Sequence, residues 1–205
     1  MRAQPAADPV RLIRDTVHPW LRGVAPTGVL VIGDAPFDHA LVLPPLLSEL
    51  ARVGLRAGAL TIICGPSARL EPDIIARYGV HVHDSADADG HVAVGEIDNI
   101  PVLLDRVYVE APTKMTFAVV QRDRVCGFTG GPATVCPGLA GEPTLNAVQA
   151  LRDADTAQKF IRAAAKLAPP RISIDVTIDE GGALVGAWAG PLPHGFQAAC
   201  ASLQP

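Results

Sequence analysis

The chain has 205 residues, 49% of them hydrophobic, and a formal net charge of −4 from 17 basic and 21 acidic side chains. That length and apolar content support a single domain with a substantial core. Its charges are spread along the chain without the basic stripe that a phosphate backbone requires, which argues against a nucleic-acid partner.

The N-terminal stretch MRAQPAADPVRLIRDTVHPW interrupts its apolar residues with prolines and charges, unlike a secretory leader. No apolar run reaches the length of a membrane span. Four separated cysteines, Cys64, Cys126, Cys136 and Cys200, form no CxxC pair. A cytoplasmic protein with no membrane partner and no structural zinc is expected.

In chain order, a short helix is predicted around Pro9 to Val17. GVLVIGDAP (28–36) is a β-branched apolar run ending in turn residues, the pattern of a buried parallel strand. LVLPPLLSELARVGL (41–55) has helical spacing, with Pro44 and Pro45 near its start and Gly54 near its end. ALTIICG (59–65) repeats the strand pattern, and PDIIARYG (72–79) reads as a short helix stopped by Gly79. This β-α-β-α alternation implies a parallel sheet with right-handed crossovers, whose ligands gather beyond the C-terminal strand edges.

HVAVGEI (91–97), PVLLDRVYVEA (101–111) and KMTFAVVQ (114–121) are strand candidates, the second with a helical turn within it. Residues 142–168 read as two helices broken near Arg152 to Asp155, and 170–190 as a hairpin around Asp179-Glu180-Gly181-Gly182. A last helix covers about His194 to Ser202. The predicted fold class is α/β: a Rossmann-like, mainly parallel sheet flanked by helices, with a C-terminal β-hairpin, in one domain over residues 1–205. Trp20 and Trp188 are expected to pack.

CGFTGGPATVCPG (126–138) concentrates turn formers and two cysteines. Gly127, Gly130, Gly131 and Gly138 permit positive φ, so their successive N–H groups can cradle a carboxylate or phosphate; equally, a tight strand-to-helix loop needs glycine for its own sake. Asp123, Cys126, Thr134 and Cys136 are the polar or reactive groups of this region. Asp123 is a candidate base or acid with either cysteine as a second group, against the reading that the cysteines are small buried apolar residues. Asp34 ends the first predicted strand, where it either meets a ligand or caps the next helix. His81 and His83 share one face of an extended stretch, with Asp84 and His91 nearby, but lack the defined spacing of a complete metal site. They read as a polar edge, and no metal ligand is assigned.

GFTGGPATVCPGLAGEPTLNAVQ (127–149) resembles the signature loop of the lactate racemase family, the nickel-pincer enzymes. VIGDAP (31–36), IICGPS (62–67), VHVHD (80–84) and the stretches 90–111 and 172–194 follow the family's N-terminal domain in order. Nothing in these residues corresponds to the family's second, C-terminal domain. The resemblance places the family's cofactor-bound lysine on Ala133 and its nickel-binding histidine on Gln149. The paired acid/base histidines fall on Ser67 and Asp123, and the substrate arginine on Phe37. An alanine forms no such covalent bond, and glutamine is a poor ligand beside an imidazole; serine and an ordinary aspartate do not reproduce two histidines poised near neutral pH.

The resemblance therefore implies a diverged small-molecule enzyme without the nickel-pincer cofactor. Its chemistry would be isomerase-, racemase- or lyase-like acid/base work on a small carboxylate or hydroxy-acid-like ligand. The candidate catalytic residues are Asp123, Cys126, Cys136 and Ser67; the candidate ligand-binding residues are Asp34, Gly127, Thr129, Gly130, Gly131, Thr134 and Gln149. The alternative is a non-catalytic module, a pseudoenzyme that self-associates or completes another chain. A homo-oligomer or partner chain is expected under either reading, because a lone domain of this kind exposes apolar surface.

Overall fold

The β-branched runs form the strands. In chain order the elements are α1 (Pro9–Val17), β1 (Gly28–Ile32), α2 (Leu43–Arg52), β2 (Leu60–Cys64), α3 (Pro72–Arg77), β3 (Gly79–Val82), β4 (His91–Ile97), β5 (Ile100–Asp105), α4 (Arg106–Glu110) and β6 (Lys114–Val119). There follow β7 (Arg122–Asp123), β8 (Gly127–Phe128), α5 (Pro132–Val135), α6 (Glu142–Ala150), α7 (Ala154–Leu167), β9 (Ile172–Ile178), β10 (Leu184–Gly190) and α8 (His194–Ser202). The computed structural model describes residues 5–33, 42–65, 70–123 and 127–203.

Six strands make the main sheet, in the order β10-β9-β6-β1-β2-β3. All neighbours are parallel except β9 and β10, the antiparallel C-terminal pair. The chain starts in the middle, at β1, builds outward through β2 and β3, then crosses back to place β6 on β1's other side. The order thus reverses between β1 and β6, which is where open α/β sheets leave a crevice at their C-terminal edge.

Strand periodicity divides the core. Leu30, Ile32, Ile62 and Phe117 point into one cluster with Ile13 of α1 and Leu46 and Leu50 of α2. Val29, Val31 and Ile63 point to the opposite face, against Tyr108 of α4, Val148 of α6 and Phe160 and Ile161 of α7. Each proline-led helix uses proline where its missing N–H costs nothing: Pro44 and Pro45 sit in the first turn of α2. The break between α6 and α7 falls where expected. Asp153 caps α7 by accepting the Thr156 amide at 2.8 Å, and Leu151 ends α6 in extended backbone.

Two expectations are refined. β4 and β5 pair with each other as a separate antiparallel ribbon, outside the main sheet, and residues 106–110 turn helical at the ribbon's end. Asp98 and Asn99 both have positive φ, 51° and 61°, the backbone of a tight two-residue hairpin turn that Asx residues tolerate. Trp188 packs with Phe196 and Val120, whereas Trp20 is 43% exposed. Among the described residues no helix is long and apolar enough to cross a membrane.

Candidate functional site

A cavity of about 310 Å³ lies at the C-terminal edge where β1, β2 and β6 end. Gly33, Gly65 and Ala118 supply its strand side, and Thr129, Gly130 and Thr134 its loop side. His83, just beyond β3, completes the wall. Gly33 is bare for a packing reason, since a Cβ there would come within 2.9 Å of the Ala118 methyl.

The loop is built from its own hydrogen bonds. β7 and β8, two residues each, pair antiparallel with Asp123 opposite Gly127. The Thr129 hydroxyl donates to the Val119 carbonyl at 3.0 Å and accepts the Gln121 amide at 3.0 Å, fastening the loop to the end of β6. Gly130 and Gly131 then take φ of 82° and 48°, and α5 follows as a single turn. The anion cradle read from the glycines is partly spoken for: the Thr129 amide donates to the Gln121 carbonyl and the Gly131 amide to the Asp175 carboxylate. The glycines answer to packing instead. A Cβ on Gly127 would collide with the Gln158 amide, and one on Gly131 with the Phe196 ring.

Of the candidate residues, Thr129, Gly130 and Thr134 meet at the cleft. Thr134 is 5% exposed, and its hydroxyl has no hydrogen-bond partner, an unusual state for a buried polar atom. Gly127 and Gly131 abut α7 and α8. Asp123 is half-buried on β7 and Gln149 is exposed on α6; neither lines the cavity. Cys136 is fully buried among Val135 and Leu139, and burial pushes its thiol up to about 12, so no thiolate forms there near neutral pH. Asp34, Ser67 and Cys126 lie outside the described residues.

Two polar clusters lie in the fold, the first unforeseen in the sequence and the second the His81, His83 and His91 edge, whose centre, Asp105, the sequence did not point to. The first is on β9, where Ser173, Asp175 and Thr177 alternate on one buried face. Thr116 donates to the Ser173 hydroxyl at 3.1 Å, Ser173 donates to Asp175 Oδ2 at 2.8 Å, and the Gly131 amide donates to Oδ1 at 2.8 Å. Burial pushes the Asp175 carboxyl up to about 6 from 3.8, outweighing both hydrogen bonds. A raised folded-state value means this group's contribution is full below 3.8 and is lost as pH rises through about 6. Removing the charge with Asp175→Asn should flatten unfolding free energy across that window, a change on the order of 3 kcal/mol. Urea titrations of both proteins at several pH values check it; parallel pH profiles would refute it.

The second cluster centres on Asp105. Its Oδ2 accepts His81 Nε2 at 2.8 Å and His83 Nδ1 at 3.0 Å, while Oδ1 accepts the Val107 and Tyr108 amides as the N-cap of α4. Desolvation raises the Asp105 carboxyl, but the hydrogen bonds from His83 and His81, the attraction of His81 and the Tyr108 amide together hold it below its ordinary 3.8. His83 Nε2 faces the Ala140 carbonyl at 3.3 Å, and the His91 ring stands edge-on to His83 at 5.3 Å. The polar edge is thus a carboxylate-centred network. Among the described residues no three His, Cys, Asp or Glu side chains are arranged to hold a metal ion.

A mainly parallel sheet flanked by helices, with a glycine loop at its switch point, defines an α/β domain of Rossmann-like architecture. Residues 29–157 match the family model described as the lactate racemase N-terminal domain, so the chain belongs to that family. Among solved structures, the lactate racemase apoprotein from Thermoanaerobacterium thermosaccharolyticum superposes with a TM-score of 0.78 at 16% identity, over 98% of this chain and 56% of that one. A protein from Thermotoga maritima superposes with a TM-score of 0.69 at 17% identity, over 97% of this chain and 59% of that one. The chain therefore spans little more than half the length of either. No curated protein matches it in sequence.

Proposed function

We propose that the chain binds a small carboxylate or hydroxy-acid-like ligand in the cleft beside residues 129–134 and carries out diverged acid/base chemistry on it, without a nickel-pincer cofactor. The observation that carries this is the cleft-wall Thr134, whose buried hydroxyl lacks a partner that a ligand's oxygen would supply. His83, oriented by Asp105, is the titratable side chain in the same wall.

The donor set does not suit the pincer group. Ala133, at the lysine position, presents a methyl group to the cavity, and Gln149, at the nickel-binding position, is exposed on α6 away from the cleft.

A second reading, a binding or partner module without turnover, is favoured by exposed apolar side chains near the sheet's β3 edge. Ile75 and Val82 are each 52% exposed there. Ligand-observed NMR with a panel of simple carboxylates and 2-hydroxy acids tests the first reading. At least one should bind saturably, and Thr134→Val should weaken it about tenfold, the worth of one buried hydrogen bond. Absence of binding across the panel, or affinity indifferent to Thr134→Val, would leave the module reading.

A further inference from the structure

A second cavity, of about 360 Å³, opens between α7 and α8 and shares Ala133 with the cleft as a common wall. That volume falls within the ~300–1,000 Å³ range of small-molecule sites. Phe128, Ile161 and Phe196 give it apolar walls, and Gln158, Arg162 and Gln197 bring polar groups to them.

Among the described residues, Arg162 is the only formally charged side chain in the lining, and the buried Asp175 carboxylate acts on the lining's Cys200 from behind it. Cys200, also in the lining, stays neutral because burial pushes its thiol up to about 11. Arg162 Nη2 donates to Gln158 Oε1 at 3.2 Å; among the described residues no carboxylate pairs with the guanidinium. The surface cavities near β9's end instead carry Asp179 and Glu180. In a chain of net charge −4, a guanidinium that has no carboxylate partner among the described residues and stands beside aromatic walls marks a place for an anion.

The glycine loop is shaped to this cavity. Gly127 leaves the room that the Gln158 amide occupies, and Gly131 the room that the Phe196 ring occupies, so two of the loop's glycines seat two of the cavity's lining side chains.

We propose that this cavity is a binding site for a small monocarboxylate with an aromatic body. Arg162 pairs with the carboxylate through its planar fork, Gln158 and Gln197 offer amide donors, and Phe128, Ile161 and Phe196 enclose the ring. The site is distinct from the cleft around Thr134, and its occupant rests against the same turn of α5.

Fluorine NMR titration of the full chain with para-fluorobenzoate tests it, with para-fluorobenzyl alcohol as the uncharged control. Saturable binding of the acid is expected, about tenfold weaker for the alcohol and about tenfold weaker for the acid on Arg162→Gln, the scale of one charge-assisted pair. Arg162 is exposed, so the variant should keep the wild-type amide spectrum. Thr134→Val should leave the affinity for para-fluorobenzoate unchanged. No saturable binding, equal binding of acid and alcohol, or an affinity unmoved by Arg162→Gln would overturn the proposal. Loss on Thr134→Val alone would also overturn it by moving the probe into the cleft, while leaving the cleft reading intact.

Discussion

Replacing Asp105 by alanine should destabilise the protein by about 3–5 kcal/mol at neutral pH, because one side chain serves two structures at once. Its Oδ1 caps α4 through the Val107 and Tyr108 amides, a function worth ~1 kcal/mol on its own. Its Oδ2 takes the ring N–H groups of His81 and the buried His83, and truncation leaves His83 Nδ1 with no acceptor in a 7% exposed site. The pH dependence carries a sign. The folded-state carboxyl is lowered below 3.8, so its stabilisation is present above that value and fades as pH falls through the lower folded value. Denaturant unfolding of wild type and Asp105→Ala should therefore differ most near neutrality and converge in acid. A gap that is small at neutral pH, or that widens on acidification, would contradict this account of the network.

Gly131→Ala should cost a similar ~3–5 kcal/mol, from two separate causes. At φ 48° and ψ −121° the backbone lies where L side chains are strained, a penalty of ~1–3 kcal/mol. The added methyl also drives into the Phe196 ring, and overpacking of that kind costs about 1–3 kcal/mol more. The Gly131 amide's bond to Asp175 is disturbed as the loop shifts. Thermal unfolding measures the combined loss. Trimming the obstacle with Phe196→Ala in the Gly131→Ala background should recover part of it, whereas strict additivity of the two losses would show that ring and methyl do not meet.

These two residues show what the sequence carried and where it stopped. The strands around Leu30, Ile62 and Phe117 were legible because each is a short β-branched run, and α2 and α7 because their apolar residues recur at helical spacing. The break before α7 was legible because Asp153 is a good N-cap next to a charged, loosely patterned stretch. The resemblance in the glycine loop carried the family as well. What remained hidden depends on partners distant in the chain. Gly131 was recognisable as a glycine with a reason, but the reason is Phe196, from another helix.

Asp105 sat in LLDR as an ordinary strand-end aspartate; only the packing of β3 beside it brings His81 and His83 to its carboxylate. Asp175 had a signal that went unused, the alternation of Ser173, Asp175 and Thr177 in an otherwise apolar strand. Polar residues on a face that should be buried announce a hydrogen-bond network. Cys136 illustrates the reverse: a cysteine in a conspicuous loop suggests reactivity, and complete burial removes it.

We propose that Ala133 and Gln149 end pincer chemistry in this chain while leaving the cleft beside residues 129–134. Denaturing and native mass spectrometry of freshly purified protein, with elemental analysis of the same sample, test that directly. A polypeptide of unmodified mass without stoichiometric nickel is the expected result. A covalent adduct, or nickel bound one to one, would contradict it.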